Sequence, residues 1–297
     1  MSFNMFVQHL FNAITLGSLY GLVAIGYTMV YGILRLINFA HGDIFMLGAY
    51  FMFFGTVTFN LPWGIAAVIA VAASSVCGVF VDRIAFRPLR DAPRISALIS
   101  AIGVSFLIEN LSLVLFTGLP RQVIQPEWMV KIITIGEIRI LPLAIVVPVI
   151  AFTLVLGLLW IVYRTKPGLA MRAISKDIET TRLMGVSVDK IIALAFGLGS
   201  ALAAASGIMW ALRYPQIHPF MGVFPGFKAF IAAVFGGIGS IQGAMIGGML
   251  LGLIEIMIIA FFPSLSGYRD AFAFILLIVI LLMKPTGLMG EKLEDKI

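Results

Sequence analysis

The polar residues able to do chemistry in this chain are few, and each stands in an apolar setting. Asn38, His41 and Asp43 sit close together between two long apolar runs. An imidazole beside a carboxylate can relay a proton or join a metal site. One histidine and one carboxylate fall short of the three or four ligands a zinc ion takes. A polar turn that satisfies helix ends at the membrane surface suits these residues better than direct substrate contact. Glu109 and Glu255 stand inside apolar runs. An ionised carboxylate in hydrocarbon is costly, so each is expected to face the bundle interior or a wet cavity, or to carry a proton. Lining a pathway and pairing with a neighbouring helix both stay open for them. These five residues are the candidates for a translocation path.

A second concentration of polar groups is segment 164–190. It holds Arg164, Lys166, Arg172, Lys176, Arg182 and Lys190 with Asp177, Glu179 and Asp189. Pro167-Gly168 sets a turn. Residues 169–184 read as one amphipathic helix, with Leu169, Ile174, Ile178, Leu183 and Met184 apolar and Arg172, Lys176, Glu179 and Arg182 polar. Gly185 can stop it by taking a left-handed conformation. Such a helix suits a partner's groove, or equally the bilayer surface. No G-x-x-x-x-G-K-[ST] phosphate loop, H-E-x-x-H, G-x-S-x-G or cysteine cluster occurs. The chain is therefore expected not to be an enzyme and to hold no cofactor or metal. Cys77 is the single cysteine, so no intrachain disulfide can form.

The elements that position these groups are membrane spans. Hydrophobic residues make up 61% of the chain and charged residues 11%, where a soluble domain carries about 25% charged residues. No Asp, Glu, Lys or Arg occurs in 1–34, 44–81, 140–163, 191–212 or 229–254. A helical crossing needs about 20 apolar residues. The expected fold is all-α: a polytopic helical membrane protein and a single transmembrane domain over 1–297. About eight spans are expected, near 10–34, 44–59, 62–81, 95–117, 142–163, 191–212, 243–262 and 270–284. The first lacks a basic leader and a cleavage site and is expected to be retained. A shorter piece, 226–238, either crosses or re-enters.

Positive charge orients the spans. Segment 82–94, with Arg83, Arg87, Arg90 and Arg94, and segment 164–190 both belong on the cytoplasmic side. Loop 118–141, with Arg121, Lys131 and Arg139 against Glu127 and Glu137, then faces outside, as does the N-terminus. A tail with Lys284, Lys292 and Lys296 belongs inside, which requires 226–238 to cross. The net charge of +6 reflects such loops rather than nucleic-acid binding. Leu16-Gly17-Ser18 opens a helix that ends in an inner break, and Leu198-Gly199-Ser200 opens one that ends in an outer break at 213–225. That placement is the pattern of an inverted repeat. Gly17 and Gly21, Gly239, Gly243 and Gly247, and Gly248 and Gly252 recur at four-residue steps, which favours close helix packing.

Several blocks, in order, resemble one family. Thr15 to Tyr20, Ala24 to Gly32 and Ile37 to Gly42 are similar to the start of the membrane permeases of branched-chain amino acid ABC importers. Further similar blocks are Phe86 to Arg90, Leu98 to Gly103, Leu183 to Val186, Lys228 to Phe230, Gly236 to Ser240, Gly243 to Gly248 and Lys284 to Leu288. The resemblance implies a subunit of a bacterial inner-membrane transporter for branched-chain or related aliphatic amino acids. It implies a second homologous permease, two cytoplasmic ATPase subunits that hold ATP and Mg, and an extracytoplasmic solute-binding protein. It makes 169–185 the ATPase-coupling helix, with Arg172, Lys176, Asp177, Thr181 and Gly185 as its residues. It also implies a polar, uncharged residue where Glu109 stands. Relatives of the family carry urea and short amides as well, and the two intramembrane glutamates keep an ion- or proton-coupled secondary transporter as the competing class.

Overall fold

The computed structural model describes residues 3–90, 92–135 and 138–290; Glu137, Lys292, Lys296 and the side chain of Arg94 lie outside the described residues. The helices are α1 (Phe3–Leu34), α2 (His41–Phe53), α3 (Trp63–Val81), α4 (Arg94–Phe116), α5 (Glu127–Val130), α6 (Leu143–Arg164), α7 (Lys166–Lys176), α8 (Ile178–Leu183), α9 (Val188–Arg213), α10 (Val223–Gly236), α11 (Ile241–Phe261) and α12 (Arg269–Met283). Four short strands, β1 (Arg121–Gln122), β2 (Ile133–Ile135), β3 (Ile138–Ile140) and β4 (Gln216–Ile217), form two antiparallel pairs, β1 with β4 and β2 with β3. Among the described residues, seven helices are long and apolar enough to cross a membrane. The expected second span is not among them, because α2 has only 13 residues before it continues as a π-helical turn, Phe54–Thr58. Segment 82–94, expected as a loop, instead prolongs α3 through a π turn, Asp82–Phe86, and a 3-10 turn, Arg87–Leu89.

α1 is the axis of the bundle. Every residue from Thr15 to Val30 is buried, although lipid would accept that surface. The helix instead packs against α6, α9, α10 and α11. Close approach explains the glycine spacing. A Cβ on Gly248 would enter the backbone of Gly21, and one on Gly252 would enter that of Gly17. Small residues thus let α1 and α11 touch backbone to backbone. α4 and α12, in contrast, turn large side chains such as Phe106, Val114, Leu282 and Met283 outward, as lipid-facing helices do.

α1 also serves as a ruler for the topology. Arg213, at the end of α9, hydrogen-bonds Asn12 near the start of α1 (Nη2 to Oδ1, 3.0 Å). Gly239, just past α10, lies beside Gly32 near the end of α1. Between Asn12 and Gly32 a helix rises about 30 Å, the thickness of the hydrocarbon core. The stretch 214–236 therefore crosses, first as a non-helical segment of short strand and turns and then as α10. The pairing of β1 with β4 sets the loops after α4 and α9 side by side, as their common outward assignment demands. Among the described residues nine crossings result, counting α2 with its π turn and 214–236, and both ends of the assignment agree.

The faint repeat is real in three dimensions. α1, a break, α2 and α3 are matched by α9, a break, α10 and α11. α1 packs on α11 while α9 packs on α3, where Gly78 fits against Ser200 and Ser75 hydrogen-bonds the Gly197 carbonyl (2.9 Å). Gly26 and Gly199 meet where α1 crosses α9. Both short helices begin inside the bilayer. His41 opens α2 against Gly26, which lies about 12 Å up α1 from its end. Gly222, just before α10, and Gly226 within it pack on Gly42 of α2.

Candidate functional site

The candidate residues fall into three separate places. The first is the polar opening of α2. His41 is 1% exposed, and its Nε2 is buried without a hydrogen-bond partner. Its ring meets Tyr27 edge-on, with centroids 4.7 Å apart, and it fills the space that Gly26 leaves. Asn38 is also buried, and its carbonyl accepts the His41 amide (3.2 Å). Both therefore act as parts of the break between α1 and α2, in line with the polar-turn reading, but deep in the bundle rather than at the membrane surface. Asp43 points the other way, toward α4. Ser105 Oγ donates to Asp43 Oδ2 (2.6 Å), and the carboxyl of Glu109, one turn further on α4, lies near enough to that of Asp43 for the two to interact. The fold thus brings together two acids far apart in sequence. Carboxyls in such contact share a proton or take up a cation. Ser105 gave no signal in the sequence beyond its four-residue step from Glu109.

Glu255 lies elsewhere, in a buried ion network. Lys228 Nζ sits 3.0 Å from Glu255 Oε1 and 2.6 Å from Asp270 Oδ1. Tyr20 donates to Glu255 Oε2 (3.1 Å), and Arg269 Nε lies 3.2 Å from Oε1. The side chains of Lys228 and Glu255 are 4% and 2% exposed. For Glu255 the pairing alternative is the one the structure realises. Its partner could have been found: the uncharged run 229–254 is flanked by Lys228 and Glu255, and α10 and α11 fold back around the turn at 237–240.

The third place is the cytoplasmic segment. Residues 169–184 form two helices, not one, because Asp177 is extended and caps α8. Its carboxylate accepts the Thr180 amide (3.0 Å) and the Thr180 hydroxyl (2.8 Å). Side chains that bond the backbone ahead of them break one helix as they start the next. Thr181 Oγ1 donates to the Asp177 carbonyl (2.6 Å), Lys176 ends α7, and Arg172 lies over the Tyr163 ring at 5.4 Å. Gly185 adopts φ +81°, the left-handed stop that its position calls for. The expected apolar face also changes. Met171 and Ile174 face the bundle, while Leu169, Leu183 and Met184 point out, the last two 87% and 79% exposed.

A clamp joins this segment to the end of α3. Asp189, at the start of α9, accepts from Arg87 and Arg90 (2.5 Å each), and Arg90 also bonds the buried Asp82 (2.7 Å). Any movement of α8 and the start of α9 is therefore felt by 82–90. The sequence offered both arginines as orientation signals only. Among the described residues no group of three or more His, Cys, Asp or Glu could hold a metal ion.

The family model described as branched-chain amino acid transport system / permease component matches residues 9–281. The high-affinity branched-chain amino acid transport system permease protein LivH of Escherichia coli (strain K12) is 40% identical and aligns over 98% of each chain. BraD of Pseudomonas aeruginosa, a permease protein of the same system type, is also 40% identical over 98% of each chain. The ribose import permease protein RbsC of Escherichia coli (strain K12) is 26% identical over 84% of this chain and 77% of its own. With the multi-pass bundle, its broken short helices and its inverted repeat, these matches establish that the chain belongs to the family of branched-chain amino acid transport system permease components.

Proposed function

We propose that this chain is the membrane-spanning permease subunit of an ATP-driven importer that moves branched-chain or related aliphatic amino acids across the cytoplasmic membrane. Two cytoplasmic ATPases, a second homologous permease and an extracytoplasmic binding protein complete the assembly, and ATP and Mg belong to the ATPases. One observation supports the coupling reading most. The chain projects α7 and α8 from the cytoplasmic face with Leu183 and Met184 uncovered, while Asp189 and Arg90 tie the same segment to the end of α3. Exposed apolar tips on a capped helix suit a partner's groove. Arg172, Lys176, Asp177, Thr181 and Gly185 shape that element. Asp43 and Glu109 offer acceptors for the α-ammonium of the cargo, whereas Asn38 and His41 hold the break and Glu255 holds the ion network.

The test is uptake in proteoliposomes. The complete assembly should accumulate leucine when ATP is present and not when a proton or sodium gradient replaces it. This chain alone, energised by a gradient, should accumulate nothing. Gradient-driven uptake by the single chain would establish the secondary transporter instead. Uptake of urea or acetamide in place of leucine would keep the permease and overturn the cargo.

A further inference from the structure

The cytoplasmic end of α6 joins an apolar stripe to a basic corner. Phe152, Leu156, Trp160 and Tyr163 follow one another at three- and four-residue steps, and all stand exposed, so they form one lipid-facing stripe along α6. Basic groups gather at its inner end. Arg164 ends α6, Lys166 opens α7, and Arg172, further along α7, lies 5.4 Å over the Tyr163 ring. The corner between the two helices is fixed. Thr165 Oγ1 donates to the Ile161 carbonyl (2.5 Å) and accepts the Gly168 amide (3.3 Å), and a Cβ on Gly168 would enter the Ile161 and Val162 carbonyls. α7 is thus held against the last turn of α6, with Met171 and Ile174 toward the bundle and Leu169 and Arg172 away from it. Among the described residues Arg164, Lys166 and Arg172 take part in no ion pair. The acids of the neighbouring elements do not answer them: Asp189 is engaged by Arg87 and Arg90, Asp177 caps α8, and Glu179 pairs with none of the three. Trp and Tyr side chains settle at headgroup level, so these three cations stand at the depth of the lipid phosphates, where Lys and Arg attract anionic headgroups.

We infer that this corner binds an anionic phospholipid of the inner leaflet. Arg164, Lys166 and Arg172 receive its phosphate, Trp160 and Tyr163 carry its glycerol backbone, and one acyl chain runs along Leu156 and Phe152. A guanidinium can take two phosphate oxygens at once. A zwitterionic lipid offers the same phosphate with its own cation beside it, and free phosphate has no chain for the stripe, so both fit less well. The bound lipid ties α7 to α6 and to the bilayer surface through Arg172. It therefore steadies the cytoplasmic segment and favours transport, an effect that rests on the coupling role proposed for that segment.

The experiment takes the full chain in mild detergent, stripped of lipid, and titrates it with phosphatidylglycerol and with phosphatidylcholine of the same acyl chains, counting bound lipid by native mass spectrometry. Phosphatidylglycerol should bind at least ten-fold tighter than phosphatidylcholine and should resist an excess of inorganic phosphate. Each basic side chain near an anionic surface contributes about five-fold, so Arg164→Gln/Lys166→Gln should weaken binding at least ten-fold. Arg164→Lys/Lys166→Arg, which keeps both charges, should retain it, and Arg83→Gln, which removes a charge at the end of α3, should leave it unchanged. Equal binding of the two lipids, displacement by inorganic phosphate, or an equal loss in Arg83→Gln overturns the site. In proteoliposomes of the complete assembly, phosphatidylglycerol should raise leucine uptake at least three-fold over phosphatidylcholine in the parent, and by less in Arg164→Gln/Lys166→Gln. The same ratio in both overturns the effect on transport. Because binding is read without transport, failure of the site is separate from a failure of the importer reading, which leucine uptake in either lipid reports.

Discussion

Replacing Lys228 by Met exposes the cost of the buried ion network. Lys228 is the ammonium shared by Glu255 at 3.0 Å and Asp270 at 2.6 Å. Without it, the nearly inaccessible Glu255 keeps only the Tyr20 hydroxyl and Arg269, whose side chain is 47% exposed. Removing one partner of a buried pair costs about 3–5 kcal/mol, because the other charge is left bare. Arg269 still compensates in part, so the lower end, about 3 kcal/mol, is expected. The double variant Lys228→Met/Glu255→Met removes both buried charges and keeps the volume, so it should return to within roughly 1.5 kcal/mol of the parent. The assay is a denaturant titration of the purified chain in mild detergent, scored by loss of helical signal and arranged as a double-mutant cycle. A single variant as stable as the parent, or a double variant as unstable as the summed singles, would refute the claim that these residues act as one network.

Other outcomes follow from the same geometry. Leu183→Asp/Met184→Asp should change stability by less than about 0.5 kcal/mol, because both side chains already face water; retention of the ATPase subunits on affinity capture should nevertheless be lost. Asp177→Ala removes the cap of α8 and should cost about 1 kcal/mol locally, read as lower leucine uptake per ATP hydrolysed in an otherwise intact assembly. Gly248→Val drives side-chain atoms into the backbone of Gly21, and the yield of monodisperse protein should collapse, whereas Gly103→Ala, with open space around it, should leave the yield unchanged.

Much of this architecture was legible in the sequence, and the exceptions have physical causes. Uncharged runs located the spans because hydrocarbon excludes charge, and Lys and Arg oriented them. The crossing by 214–236 was not readable, since its first nine residues are non-helical and carry Pro215 and Pro219, and contacts with Asn12 and Gly32 reveal its direction. The amphipathic pattern at 169–184 concealed the break at Asp177, because a capping aspartate looks like any polar residue on a solvent face. It also grouped Leu183 and Met184 with Ile174 on one apolar face, whereas Ile174 faces the bundle and the other two stand exposed where α8 stops. Glu109 stood out as an acid inside an apolar run and Asp43 only as part of a polar turn, and their meeting depends on α2 starting inside the bilayer opposite α4. Glu255 was legible as a costly charge but not as one member of a network drawn from α1, α10, α11 and α12.

The most direct measurement of the central claim is leucine accumulated per ATP hydrolysed in proteoliposomes holding the complete assembly, for the parent and for Leu183→Asp/Met184→Asp. A fixed, nonzero ratio is expected in the parent and a ratio at background in the variant, whose membrane bundle stays folded. An unchanged ratio in the variant, or accumulation by the parent without ATP, would contradict the claim.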